Sequence, residues 1–327
     1  MSTSEHPIIA IVDASAGAYV QLLEARFPSV TFVGASDFET LRQPGFDAVG
    51  LITFGLTLTS DQFAKFHRLT WVQALSTGVD HLLPLVRSRG LALSSARGIH
   101  GAAVSELAML LMLALARGLP RMMRAQARRE WAGFDGTLLA GKYVGIIGLG
   151  VISVELARKC NAFGMTVTAF TSVARDTPFV NRVRSYAEIA DEVGGLDFLV
   201  SIAPLNARSE RMIDAPLLAR AKPGLLFVNV GRGGTVDEAA LVDALRNGPL
   251  GGAGLDTVDP EPLDPASPLW DMDNVILTPH VGGRGDSYVD RVASLLIENI
   301  KAFLAGEALT NRVEATAATG VGSPRTR

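Results

Sequence analysis

Three residues stand out for what their side chains can do and for where the chain puts them. In Val228-Asn-Val230-Gly231-Arg232-Gly-Gly234 an apolar run ends in an arginine with glycine on both sides. The glycines leave room for a ligand beside a guanidinium, whose planar fork can hold a carboxylate through two parallel bonds. In Gly254-Leu-Asp256-Thr-Val-Asp-Pro260-Glu261-Pro262 two prolines fix the backbone around Glu261, which suits a carboxylate that must stay in one place. In Leu277-Thr-Pro279-His280-Val-Gly-Gly283 a histidine follows a proline and precedes two glycines. A histidine so placed at the end of a strand can serve as a general acid–base. Each has a plainer alternative: a surface arginine in a turn, a rigid surface loop, a structural histidine.

A fourth stretch has a different chemistry. Tyr143-Val-Gly-Ile-Ile147-Gly148-Leu-Gly150-Val151-Ile152-Ser153 reads as a buried strand, a tight glycine turn and the start of a helix. The first glycine permits the turn and the second lets a phosphate approach the backbone. The helix N-terminus then offers free N–H groups to a pyrophosphate. Ser153 stands where a third glycine is usual, and serine is small enough for close helix–strand packing. A purely structural turn is the alternative. A further loop, Ser76-Thr77-Gly78-Val79-Asp80, follows a strand ending at Leu75. Backbone N–H groups at Gly78 and Val79 can receive an anion there, or the loop is an ordinary turn in which Asp80 caps the next helix.

The elements that must carry these loops alternate. Strands are expected at 8–12, 30–33, 48–52, 71–75 and 91–93, with helices at 16–26 and 61–66. After a long helix at 102–117 the alternation restarts. Strands follow at 143–147, 165–170, 198–202, 225–229, 252–255 and 275–277, with helices at 151–163, 185–193, 214–221, 237–247 and 287–304. Such alternation implies α/β architecture: two doubly wound parallel sheets covered by helices on both faces, the second a dinucleotide-binding domain. Open parallel sheets bind ligands at the carboxyl ends of their strands, where all these loops fall.

Composition excludes several classes. A net charge of −3 gives no global nucleic-acid footprint. Arg117, Arg121, Arg124 and Arg128 recur at helical spacing, but without aromatic interleaving or a binding motif. They read as a solvated face or a dimer arm, with Trp131 and Phe134 favouring a contact surface. The 102–117 helix is apolar on nearly every face and is expected between domains or subunits. Its charge-free run, 107–116, is about half a membrane span. The single cysteine, Cys160, excludes an internal disulfide and fits a reducing, cytoplasmic compartment. No signal peptide is read at the N-terminus, since the apolar run 8–12 is short and ends at Asp13. The five histidines show no ligand spacing, so no metal site is expected.

Taken together and in order, the segments STGVD, AAVSELAMLLMLALAR, GLGVIS, NVGRGGTVDEAALVDAL, GLDTVDPEPL and TPHVGG resemble the D-2-hydroxyacid dehydrogenase family. The resemblance is specific from about Ser76 to Gly283 and extends weakly over 8–313. It implies that Arg232 binds the carboxylate of a 2-oxo acid and polarises its carbonyl. His280 would exchange a proton with that carbonyl, and Glu261 would orient the imidazole and favour its charged form. Ser76, Thr77, Gly78 and Val79 would hold the substrate carboxylate. The dinucleotide would lie on Gly148, Gly150, Val151, Ile152 and Ser153, and on Pro204, Val230, Gly231 and Gly283, with Asp256 reaching the nicotinamide amide. Residues 1–97 with 283–313 would form the substrate domain and 98–282 the nucleotide domain, with 314–327 a disordered tail. The implied molecule is a homodimer, with no nucleic-acid, membrane or metal partner. Glyoxylate and hydroxypyruvate are the implied substrates. A dehydrogenase of a phosphorylated hydroxy acid and a cofactor-sensing corepressor are the alternatives.

Departures from the family pattern are Ser153, His100 where asparagine is common, and Leu107 where histidine is frequent. The cofactor is expected to be NADP rather than NAD. An NAD site has an acid about 20 residues beyond the glycine turn. Here that place holds Thr171 and Ser172, whose hydroxyls can donate to a 2′-phosphate, and Arg175 can neutralise it. The alternative is that Arg175 points to solvent and either cofactor is used.

Overall fold

The computed structural model describes residues 6–173 and 175–314. In chain order the elements are β1 (Ile8–Val12), α1 (Ala16–Glu24), β2 (Thr31–Ala35), β3 (Gly50–Thr53), α2 (Ser60–Ala64), β4 (Trp71–Ala74), α3 (Leu83–Ser88) and β5 (Ala92–Ser94). Next come α4 (Gly101–Ala116), α5 (Leu119–Ala127), β6 (Tyr143–Ile147), α6 (Val151–Ala162), β7 (Thr166–Thr171), β8 (Arg182–Ser185), α7 (Ile189–Glu192) and β9 (Phe198–Ser201). The rest are α8 (Ala215–Leu218), β10 (Leu225–Asn229), α9 (Glu238–Arg246), β11 (Leu250–Leu255), β12 (Val275–Leu277) and α10 (Tyr288–Ala305). The chain divides into two compact units, one running to Ile99 and resuming at Asp286, the other His100–Gly285.

In the first unit five parallel strands lie in the order β2-β1-β3-β4-β5. β3 and β4 are buried along their whole length. That is why they do not alternate apolar with exposed polar residues, and why the polar side chains they carry, Thr53 and Gln73, are themselves buried. α10 returns to this sheet through a buried polar network. Asn299 Nδ2 donates to Gln73 Oε1 at 2.7 Å, which also accepts Ser94 Oγ at 2.7 Å, and Ser94 Oγ accepts Trp71 Nε1 at 2.9 Å. The same Asn299 accepts Thr310 N at 2.7 Å, fixing the segment that follows the helix. The expected tail lies, apart from Glu314, outside the described residues.

The second unit is a seven-stranded parallel sheet, β12-β11-β10-β9-β6-β7-β8. The strand order reverses between β6 and β9, the switch point at which doubly wound sheets take a dinucleotide. β8 is a strand the apolar pattern did not announce. It lies at the sheet edge, and its Arg182 and Arg184 bond Glu192 at 3.1 and 3.2 Å instead of packing in a core. α3 is the helix that the turn reading of the 76–80 loop placed after Asp80 without bounds; Pro84 sits in its first turn, where the missing N–H costs nothing.

α4 belongs to the second unit. Gly254 admits it to the sheet, since a Cβ there would lie 2.9 Å from Leu111 Cβ. α6 lies against it as well, with Lys159 Nζ donating to Ser105 Oγ at 2.8 Å. Only part of its surface is left open, Leu110 being exposed. The arginine-rich stretch does not continue α4: Gly118, at φ 65°, turns the chain by 65° into α5. Arg121 stacks on Phe134 at 4.6 Å and Arg124 pairs with Asp273 at 3.1 Å, so these cations already have protein partners. Among the described residues no single helix is long and apolar enough to cross a membrane.

Candidate active site

The site of the second unit is built on the carboxyl ends of β6, β9, β10, β11 and β12. The turn after β6 is the tightest point. Gly148 has φ 99°, and a Cβ on it would meet Ala203 N at 3.1 Å. Both the backbone conformation and the space demand glycine. Gly150, by contrast, faces open space and precedes the first turn of α6, leaving the backbone free to approach a phosphate. Val151 is exposed at that helix start, Ile152 is half-buried, and Ser153 is buried in the position of the missing third glycine. These residues fit a dinucleotide pyrophosphate by their shape.

At the end of β7 the two expected hydroxyls part company. Thr171 is the last residue of the strand, buried, and its Oγ1 donates to Val173 O at 3.3 Å. Ser172 and Arg175 are exposed. Arg175 does not point into solvent: its Nη2 donates to Leu149 O at 2.6 Å, between the two glycines of the β6 turn. A cation is thus carried to the rim of the phosphate loop.

The ends of β9 and β10 are pressed together in the same way. A Cβ on Gly231 would lie 2.9 Å from Ala203 O. Val230 is buried, its N–H donating to Ser201 O at 3.0 Å, while Pro204 is exposed and its carbonyl accepts Ser209 Oγ at 2.6 Å. Arg232 follows, half-buried. Its carbonyl is fixed by Asn229 Nδ2 at 3.0 Å and Thr235 Oγ1 at 2.7 Å, and its own Nη1 donates to Gly231 O at 2.8 Å.

Glu261 and His280, 19 residues apart in the chain, meet: Nδ1 of His280 lies 2.7 Å from Glu261 Oε2. The other oxygen of Glu261 accepts Val258 N at 3.3 Å, so the carboxylate is held to its own loop while it faces the imidazole. A carboxylate accepts only, which puts a hydrogen on Nδ1 and leaves Nε2 as the reactive nitrogen. Both side chains remain about one-third exposed, at 31 and 35 %, so a small ligand can reach them.

What holds His280 there is Asp256. His280 has φ 51°, a left-handed conformation that costs a non-glycine residue free energy. Asp256 is 3 % exposed at the end of β11. Its Oδ1 accepts Thr278 Oγ1 at 2.6 Å and Val281 N at 2.9 Å, and its Oδ2 accepts Gly282 N at 2.9 Å. Its backbone carbonyl takes His280 N at 2.9 Å. The carboxylate, read from the sequence as a nicotinamide ligand, therefore clamps the whole turn that presents His280. Gly283 lies beside buried His100, where a Cβ would stand 3.1 Å from the imidazole Cδ2.

Comparison with known proteins agrees with this geometry. The family model described as D-isomer specific 2-hydroxyacid dehydrogenase, NAD binding domain, matches residues 109–282. This chain belongs to the D-isomer specific 2-hydroxyacid dehydrogenase family. It is 33 % identical over 321 residues to D-3-phosphoglycerate dehydrogenase of Mycobacterium bovis, covering 94 % of this chain and 58 % of that protein. The chain thus spans little more than half the length of that relative. The solved structure of a D-isomer specific 2-hydroxyacid dehydrogenase family protein from Aeromonas salmonicida superposes with TM-score 0.86 at 29 % identity, over 95 % of this chain and 99 % of that one. That of an NADPH-dependent glyoxylate/hydroxypyruvate reductase from Sinorhizobium meliloti, in complex with NADP and sulfate, does so with TM-score 0.81 at 27 % identity, over 95 and 99 %.

Within this dehydrogenase family frame, the first unit offers its own candidate loop after β4. Ser76 Oγ donates to Gly78 O at 2.8 Å, and Val79 is buried, so only its backbone is available to a ligand. Tyr288, on α10, donates its hydroxyl to Leu75 O just before this loop. The sequence reading missed Thr278 as a partner of Asp256. The only signal was a hydroxyl two residues before the histidine.

Proposed function

We propose that this chain reduces a small 2-oxo acid to the D-2-hydroxy acid with NADPH, acting as a glyoxylate/hydroxypyruvate reductase. The observation that carries the reading is the Glu261–His280 pair at 2.7 Å, which leaves Nε2 of an exposed imidazole ready to give a proton. Arg232 binds the substrate carboxylate and draws electron density from the carbonyl. His280, charged and anchored through Nδ1, passes its Nε2 proton to the carbonyl oxygen and is left neutral, its remaining hydrogen on Nδ1 and donated to Glu261. The nicotinamide, when bound, supplies the hydride. Ser76–Val79 is assigned to the substrate carboxylate on the strength of a glycine-containing loop at a strand end, where backbone N–H groups can receive an anion.

NADPH is favoured over NADH by the charge around the β6 turn. No acid stands at the end of β7 to repel a 2′-phosphate, and Arg175 lies against the glycine turn at Leu149 O. The Sinorhizobium meliloti relative is itself NADPH-dependent. A homodimer is proposed through α4, α5 and the segment after them, where Leu110, Met122, Met123 and Leu138 are exposed and Trp131 is fully so. A cytoplasmic location suits the buried thiol of Cys160. The test is a panel of 2-oxo acids, and phosphohydroxypyruvate with them, followed by nicotinamide absorbance with each cofactor. Turnover of glyoxylate or hydroxypyruvate with NADPH is expected. Turnover of the phosphorylated acid alone would move the assignment to that substrate, and turnover of none would refute it.

A further inference from the structure

We propose that one ordered water binds beneath the Arg232 turn and couples it to the loop that carries Glu261. The functional part rests on the roles just given to Arg232 and Glu261; the site itself rests on geometry. The two segments are jammed together, since a Cβ on Gly233 would lie 2.0 Å from the carbonyl of Val258. Beside that contact a narrow crevice of about 20 Å³ remains, lined by Asn229, Gly233, Glu238, Thr257, Asp259 and apolar side chains of the core. A water needs at least about 10–15 Å³ on this measure and two to four polar partners. The space holds one water and no organic ligand.

The second observation is a hydroxyl that asks for it. Thr257 is 2 % exposed, and its Oγ1 has no hydrogen-bond partner among the described residues. Buried hydroxyls go unpaired rarely, because each has given up its bonds to solvent. A water accepting from Thr257 has two hydrogens of its own to donate. Residues that carry acceptors line the crevice: Asn229, Gly233, Glu238 and Asp259. Thr257 stands between Asp256, which clamps the His280 turn, and Val258, whose N–H holds Glu261. Asn229, on the opposite wall, fixes the Arg232 carbonyl at 3.0 Å. A water in the crevice therefore links the segment that aims the arginine to the segment that aims the acid–base pair.

The test is a crystal structure of the full chain that resolves waters, with T257V and T257S beside it and kcat measured for all three. Wild type should show a water within hydrogen-bond distance of Thr257 Oγ1 and of a group on the 229–238 segment. T257V, nearly isosteric, should lose it and drop kcat about 2- to 10-fold, the factor that one net hydrogen bond corresponds to. T257S keeps the hydroxyl and should restore both. A dry crevice in wild type, or a water unmoved in T257V, overturns the site. Loss of the water with kcat unchanged overturns the coupling. If wild type turns over no 2-oxo acid, the functional reading fails while the electron density still decides the water.

Discussion

Replacing Asp256 by asparagine tests the claim that its carboxylate aims His280. The carboxylate takes three donors, Thr278 Oγ1, Val281 N and Gly282 N, at 2.6–2.9 Å in a site 3 % exposed. Hydrogen bonds to a charged group contribute about 1.5–3 kcal/mol each, and neutral ones about 1. Asparagine can keep its oxygen toward Thr278 and Val281, both weakened by loss of charge. Its NH₂ then faces the N–H of Gly282, two donors in contact. One bond is lost, two are reduced, and a buried N–H is stranded, offset in part because a neutral amide is cheaper to bury. The net is about 2–4 kcal/mol against the turn. His280 at φ 51° already strains by about 1–3 kcal/mol, so a loosened clamp lets the turn relax. With tenfold in rate per 1.36 kcal/mol, a cost of about 2–4 kcal/mol lowers kcat about 30- to 900-fold. The assay pairs kcat for a 2-oxo acid with cofactor affinity by fluorescence titration and thermal melting. We expect kcat and melting temperature to fall while cofactor affinity holds within a few-fold. Wild-type kcat with weakened cofactor binding would show that the carboxylate serves the nicotinamide only, and the clamp argument would be wrong.

Three further substitutions probe the remaining groups. His280→Ala should cost about 10²–10⁴ in kcat, the range for a general acid, and Glu261→Gln a smaller loss with folding intact, checked by steady-state rates and circular dichroism. Arg232→Lys keeps the charge but loses the planar fork; both KM for the 2-oxo acid and kcat should worsen, and unchanged values would remove Arg232 from the site. Arg175→Ala should raise KM for NADPH about tenfold, the factor for one charge-assisted contact, and leave NADH nearly untouched. Equal effects on both cofactors would put Arg175 at the pyrophosphate or the loop rather than at the 2′-phosphate.

The sequence carried the fold wherever burial was complete. β1, β6 and β10 run over the residues expected for them, because strands buried along most of their length are nearly unbroken apolar runs. It failed where burial stops. β8 is charged and at an edge, paired only to β7, so no apolar run betrays it. The arginine spacing suggested one long helical face, yet Gly118 breaks it, and a single left-handed glycine outweighs a periodic pattern. At the site, Glu261 and His280 were legible because proline and glycine marked their loops. Asp256 was misread in emphasis: its partners lie 22–26 residues further on, and no local pattern announces a bond across that distance. Thr171 was expected to offer its hydroxyl, but the strand extends one residue further than the apolar run and takes the side chain inside.

The catalytic edge is made of two kinds of support, and they differ in how they fail. Arg232 is set by main-chain crowding on both sides. Gly231 lies against Ala203 and Gly233 against Val258, at distances that a Cβ would close to 2.9 and 2.0 Å. Gly148 meets the same Ala203 segment, so the turns after β6, β9, β10 and β11 stack as one layer of backbone. No side-chain substitution elsewhere loosens that layer much, because the contacts are between main chains. The His280 turn has no such neighbour. Apart from the bond from His280 N to the Asp256 carbonyl, it hangs from the carboxylate of Asp256 and is steadied by that of Glu261, two side chains that one substitution each can remove. His280 is therefore the part of the candidate site most exposed to point mutation, and Arg232 the least. That asymmetry is why a loss in kcat is expected on replacing Asp256, a buried residue that acts through the turn it holds.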